Sequence, residues 1–327
     1  MNQISLKTRV VGVDICPEKT TYALVDIRGN ILAKENFPTF DYPDITDFVA
    51  KLSESIMMLA ENNDGYEYVR SVGVSAPSAN FLTGCIENAG NMPWKGIVPL
   101  ATLLRDRLGL AVAVANDAHT TAVGEKVFGS AHGMQDFIVI SLGHGGVGSC
   151  IYSNGLPHLG AGGFAGEVGH ICVEENGRQC GCGRKGCLET YASARGMKMT
   201  AEELLAASDT PSLLRDGGEP TPERLIECCE QGDAIAIEVL RRAGFILGQS
   251  LANYATVINP EAMILTGELV HCGKWLLDPM IKAFEESLFQ NIKERMKLLA
   301  SILDDNDRDV LGASALAWEV KEYSLFK

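Results

Sequence analysis

Two stretches of this chain are written to one plan. Residues 11–24 read VGVDICPEKTTYAL and residues 137–152 read FIVISLGHGGVGSCIY. Each is a pair of apolar, β-branched runs joined by a short polar turn, the pattern of a β-hairpin. After the first hairpin the spacing predicts a strand over 31–37, a helix over about 43–61, a strand over 69–75, a helix around 99–108 and a strand over 111–115. The pattern then starts again, with strands at 136–142 and 147–152 around Gly143-His144-Gly145-Gly146. Helical spacing follows over about 233–256 and 273–298, with a short apolar strand at 262–266 running into Gly267. Strands alternating with helices indicate an α/β fold, and the repetition indicates two lobes with a cleft suited to a small molecule.

With 327 residues, 46% of them apolar, the chain can bury two such cores. The net charge of −14 opposes a large nucleic-acid footprint. No apolar run reaches membrane-spanning length, so the sequence reads as a cytoplasmic protein with no membrane partner. Of ten cysteines, Cys16, Cys85, Cys150, Cys172, Cys228, Cys229 and Cys272 are scattered, as befits small side chains in a reducing compartment.

The other three cluster in EVGHICVEENGRQCGCGRKGCLE. His170, Cys180, Cys182 and Cys187 form a Cys3His set suited to tetrahedral, structural Zn2+, and Gly181, Gly183 and Gly186 let the backbone fold tightly round an ion. The plainer alternative is three free thiols in a glycine-rich loop.

The segment GFAGEVGHICVEENGRQCGCGRKGCLETYASA resembles the signature of the ROK family (repressors, uncharacterised reading frames and sugar kinases), closest to its glucokinase-like bacterial members. GVSAPSANFLTGCIE, MPWKGIVPLATLL, ANDAHTTAVGE and LGASALAW extend the resemblance over essentially the whole chain. It implies a two-lobed actin-like ATPase (ribonuclease H-like) fold. The expected division is a small lobe of residues 1–116 plus 308–327 and a larger lobe of 117–307 carrying the zinc loop. The family commonly forms dimers or tetramers, so a homo-oligomer is expected. Family repressors carry an added N-terminal helix-turn-helix; with the first strand so near residue 1, a DNA-binding role is not expected.

By itself Asp117 suits a helix N-cap. The resemblance makes it the catalytic base that takes a proton from a sugar hydroxyl. It also assigns sugar contacts to Asn80, Asn116, Glu167, His170 and Glu189, although alone the two glutamates equally suit solvated or capping carboxylates. His170 would use one ring nitrogen for sugar and the other for metal, which gives the zinc a purpose: it orders the loop carrying Glu167 and Glu189.

The nucleotide positions implied are Asp14, Lys19, Gly143, His144, Gly145, Gly146 and Gly267, with Mg2+ accompanying ATP. Here the chain departs from its relatives. Where family kinases read Asp-x-Gly-Gly-Thr-Lys, this chain reads Asp14-Ile-Cys-Pro-Glu-Lys19. Pro17 has no N–H to donate and Glu18 brings a carboxylate toward a triphosphate. The family's Leu-Gly-Thr-Gly-x-Gly becomes Leu142-Gly-His-Gly-Gly-Val-Gly148, with His144 at the threonine position and one more residue before Val147, and its Gly-Gly after AMILT becomes Gly267-Glu268. Two readings follow. One is an ATP-dependent kinase of a hexose, glucose-like or an N-acyl hexosamine. The other is a sugar-binding sensor or regulator that has lost ATP.

Overall fold

The computed structural model describes residues 6–143 and 146–320. They form two compact units, one of residues 6–133, Leu159–Ala165 and 302–320, the other of residues 134–158 and 166–301.

The first unit is built on strands β1 (Arg9–Ile15), β2 (Thr20–Asp26), β3 (Ile31–Phe37), β4 (Val69–Ser75) and a later strand, Ala111–Ala115. Between the last two lies a small antiparallel sheet of β5 (Ala79–Asn80), β6 (Cys85–Glu87) and β7 (Ile97–Val98), which makes Ala111–Ala115 β8. The main sheet runs β3-β2-β1-β4-β8, antiparallel through the hairpin meander and parallel from β1 to β4 to β8. β1 is apolar along its length because both faces are covered. Val11, Val13 and Ile15 pack with Phe48, Leu52 and Ile56 of the helix Ile45–Glu61. Val10 packs on the opposite side with Val310 and Ala317 of the last helix, Arg308–Glu319.

That last helix lies almost on the sheet backbone. A methyl group at Gly12 would collide with the carbonyl of Val310, and one at Gly73 with the carbonyl of Ala313. Glycine here permits close approach of backbone to backbone, which no larger residue allows. The same helix meets the helix Asp117–Val127, where Gly312 lies against the Thr120 carbonyl and Gly124 against Gly312. These contacts place residues 117–133 in the first unit, so the boundary falls later than the sequence suggested.

The second unit repeats the plan. β9 (Phe137–Leu142), β10 (Val147–Ser153), β11 (Leu156–Pro157), β12 (Ala262–Thr266) and β13 (Lys297–Ala300) run in the order β11-β10-β9-β12-β13. Again a meander leads into parallel pairs, β9 with β12 and β12 with β13. The core lies under the long helix Ala234–Ile258 and the helix Lys274–Ser287, whose backbones approach at Gly244 and Gly248. The helical run expected to reach residue 298 stops at Ser287. Residues 297–300 instead pair with β12, Leu298 opposite Met263, so tertiary pairing overrides the helical spacing of that segment.

Among the described residues, no helix is long and apolar enough to cross a membrane.

Candidate active site and metal centre

In the first unit, β1 and β8 end beside each other's neighbour β4 and deliver Asp14 and Asp117 from the same edge of the sheet. The N-cap of the helix after β8 is Asn116, whose Oδ1 accepts from His119 N at 2.8 Å. Asp117 is therefore not the cap. Its Oδ1 accepts from the adjacent Ala118 N–H, at 2.8 Å, its own backbone N–H also points at the carboxylate, and the residue is exposed. Protein packed round the carboxyl disfavours its charge and raises its pKa. A carboxylate so placed can accept a proton.

Asp14 is pushed up to about 7, first by burial, then by the negative charge of Asp309, with a smaller push from Asp117. Cys16 Sγ donates to Asp14 Oδ2 at 3.1 Å, and burial followed by the Asp14 charge drives that thiol's pKa upward. Asp309 was not among the residues expected from sequence. It belongs to the last helix, where Arg308 Nε approaches it at 3.3 Å while Arg308 Nη1 meets Asp305 at 2.5 Å.

The turn between β1 and β2 is closed by Cys16 N–H donating to the Lys19 carbonyl at 3.0 Å. Thr39 Oγ1 donates to the Cys16 carbonyl at 2.7 Å and meets Thr20 Oγ1 at 2.9 Å, which braces the turn from the side. With Pro17 lacking a donor and Cys16 N–H committed, the turn retains only the N–H groups of Glu18 and Lys19. Glu18 and Lys19 are exposed.

Asn80, expected to contact sugar, is buried and already engaged. Its Nδ2 donates to the Gly162 carbonyl at 3.0 Å and its Oδ1 accepts from Leu82 N at 3.0 Å. It ties the Leu159–Ala165 loop to the first unit. Its exposed neighbour Phe81 stands edge-on to His119, centroids 5.1 Å apart, and burial lowers His119 to about 4.

In the second unit, Gly143 N–H donates to the Gly146 carbonyl at 3.1 Å, with Leu142 opposite Val147. Ile15 stands opposite Thr20 in the first hairpin, so both connections have four residues and one closing bond of the same sense. No residue is inserted before Val147 relative to the first hairpin. His144 and Gly145 lie outside the described residues. Gly267 has φ +96°, and a methyl there would collide with the Leu142 carbonyl, so the β12 exit and the β9 exit touch through backbone. Glu268 follows it and is exposed.

The thiols and imidazole come together as the sequence predicted. The donor atoms of His170, Cys180, Cys182 and Cys187 all lie within 4.8 Å of one another. A tetrahedral ion with Zn–S near 2.3 Å and Zn–N near 2.05 Å separates two sulfurs by about 3.8 Å, and sulfur from nitrogen by about 3.6 Å. Cys182 Sγ and Cys187 Sγ are 3.7 Å apart, and Cys180 Sγ and His170 Nδ1 are 3.6 Å apart. The donor set fits zinc. Gly186, at φ +73°, passes so close to the Glu174 carbonyl that a side chain could not be admitted.

His170 turns Nδ1 toward the thiols, which leaves Nε2 on the far side of the ring. Glu189 closes the group: its Oε1 accepts from Cys180 Sγ at 2.9 Å and lies 3.6 Å from His170 Nδ1. Its other carboxylate oxygen is directed toward Gly146 at the hairpin end. Glu167 precedes the one-turn helix Val168–His170 that sets the His170 ring in place. Arg178, missed by the sequence reading, fastens the metal loop. Its guanidinium donates to the carbonyls of Thr190 and Gly196 at 2.7 and 2.9 Å, pairs with Glu203 and stacks over Tyr191.

A family model described as "ROK family" matches residues 10–320. The glucokinase of Halalkalibacterium halodurans is 31% identical over 318 residues, covering 95% of this chain and 94% of that protein. The DNA-binding transcriptional dual regulator NagC of Escherichia coli is 27% identical over 312 residues, covering 94% of this chain and 74% of the regulator. Among solved structures, a ROK family glucokinase from Streptomyces griseus in complex with glucose and AMPPNP is 31% identical, with a TM-score of 0.75 over 95% of this chain and all of that one.

Proposed function

This chain belongs to the ROK family, with its actin-like ATPase fold, and on that premise we propose that it transfers the γ-phosphoryl group of ATP to a hydroxyl of a hexose. The observation that carries the reading is the position of Asp117. Asn116 takes over the capping of the helix, and the Asp117 carboxylate is left open to solvent with a raised proton affinity. A base of this kind takes the proton of the attacking sugar hydroxyl as the bond to phosphorus forms.

The hexose is glucose-like or an N-acyl hexosamine, and the residues we assign to it are Asn116, Asp117, Glu167, His170 and Glu189. In this reading His170, Cys180, Cys182 and Cys187 would hold Zn2+, which would order the imidazole and the neighbouring Glu189 for sugar contact. With four protein donors available, such an ion would be structural. Of the residues assigned to the nucleotide, Asp14, Lys19, Gly143, Gly146 and Gly267 are among the described residues. Mg2+ entering with ATP would supply positive charge that offsets the carboxylates of Asp14, Asp309 and Glu18.

One observation favours a second reading, a sugar-responsive regulator without turnover. The β1–β2 turn keeps only two N–H donors and carries Glu18, while Asp309 adds a further charge beside Asp14. A coupled assay across a panel of hexoses, run alongside calorimetric titration of ATP and of sugar, separates the two. Turnover that disappears in Asp117→Asn supports the kinase; sugar binding without nucleotide binding overturns it.

A further inference from the structure

Cys172 is the one cysteine near the metal centre that does not belong to it, and its partner across the chain is a ligand. Cys172 and Cys187 form an isolated antiparallel bridge. The flanking bonds, Val173 N–H to the Gly186 carbonyl at 2.8 Å and Leu188 N–H to the Ile171 carbonyl at 3.0 Å, make it a non-hydrogen-bonded pair. In such a pair the two Cα atoms approach to about 4.5 Å and the side chains share one face. Disulfides form at Cα separations from about 4.4 Å upward. Cys172 Sγ lies 3.2 Å from where a Gly186 methyl would be, so it reaches the backbone beside Cys187, where a larger residue would crowd it.

The two thiols differ in access. Cys172 is exposed and its Sγ donates weakly to the Glu174 carbonyl at 3.5 Å, whereas Cys187 is fully buried. An oxidant from solution therefore meets Cys172 first, and Cys187 is reached from within.

We propose that Cys172 and Cys187 are a disulfide-forming pair through which a peroxide releases the metal. The metal half of this proposal rests on the zinc reading above. In the first step the Cys172 thiolate attacks one peroxide oxygen; the S–O bond forms, the O–O bond breaks and hydroxide leaves. In the second, the Cys187 thiolate attacks the sulfenic sulfur; the S–S bond forms, the S–O bond breaks and a second hydroxide leaves. Two electrons pass from the sulfurs to the peroxide. Cys187 is then lost as a ligand, leaving His170, Cys180 and Cys182, too few to hold a structural ion tightly.

The test treats the full-length protein with one equivalent of hydrogen peroxide, maps its disulfides by mass spectrometry and follows zinc release with a chromophoric chelator. The expected linkage is Cys172–Cys187, in protein prepared with or without zinc, and Cys172→Ser slows zinc release at least tenfold. A linkage confined to Cys180, Cys182 and Cys187, with unchanged release from Cys172→Ser, overturns the proposal. A Cys172–Cys187 linkage in protein that binds no zinc upholds the pair and overturns the coupling to metal, which separates this inference from the zinc reading.

Discussion

Cys16 Sγ and Asp14 Oδ2 are joined by a hydrogen bond of 3.1 Å, so the residue that replaces a glycine in the first turn also serves the carboxylate at the end of β1. The turn and the acid are a single unit, and a change at either is felt at the other.

The first consequence is a pH dependence. Burial and the charge of Asp309 raise Asp14 from 3.8 to about 7, so ionising it in the folded protein costs stability. Its favourable contribution is complete below about pH 4 and is lost as the pH rises toward 7. Asp14→Asn removes the charge, and its melting temperature exceeds that of the parent by a few degrees at pH 8, the gain shrinking toward pH 4. Equal gains at pH 8 and pH 4.5 in thermal melts count against the assignment.

The second concerns the turn itself. Replacing Cys16-Pro17-Glu18 by Gly-Gly-Thr restores backbone donors and removes a carboxylate. ATP affinity rises by about tenfold, the equivalent of one charge-assisted hydrogen bond, while hexose affinity is unchanged. Calorimetry with each ligand reads both. A turn variant that binds sugar less tightly and ATP no better shows that the turn is not what limits the nucleotide.

Metal removal gives the third. Chelation, or Cys182→Ser, frees the loop that holds His170 and Glu189, and hexose affinity falls by about 10- to 100-fold. Nucleotide affinity changes far less. Elemental analysis of the purified protein should find one zinc per chain, and its loss should track the loss of sugar binding during dialysis against chelator.

A fourth prediction tests the packing under the site. Gly73→Ala places a methyl on the Ala313 carbonyl, where neither backbone can yield, and destabilises the protein by about 3 kcal/mol or more. Gly181→Ala, in the same chain but with open space around it, has little effect in the same denaturant titration.

Much of this could be read before the structure. Thr20–Asp26, Val69–Ser75 and Ala111–Ala115 have the predicted bounds because their β-branched and apolar runs are bracketed by turns. The Cys3His cluster was legible because its members fall within 18 residues of one another, His170 to Cys187. What escaped was non-local. Lys297–Ala300 is a strand only because β12 lies beside it, and β5, β6 and β7 are too short to show a period. Asp309 acts on Asp14 across almost the whole sequence, and no local pattern announces such a pair. Nor does sequence reveal that both ends of the Asn80 amide are occupied by backbone groups.

The helix Arg308–Glu319, seated against Gly12 and Gly73, also sets a clock. The hairpin it covers leaves the ribosome roughly 300 residues ahead of the helix, the separation of Arg9 from Arg308. At about 5–20 residues per second, β1 waits on the order of tens of seconds for its covering helix. Through that interval one face of the first sheet, with Val10, Ala23 and Val25 on it, has no native partner, so the emerging chain depends on whatever shields that face until the helix follows.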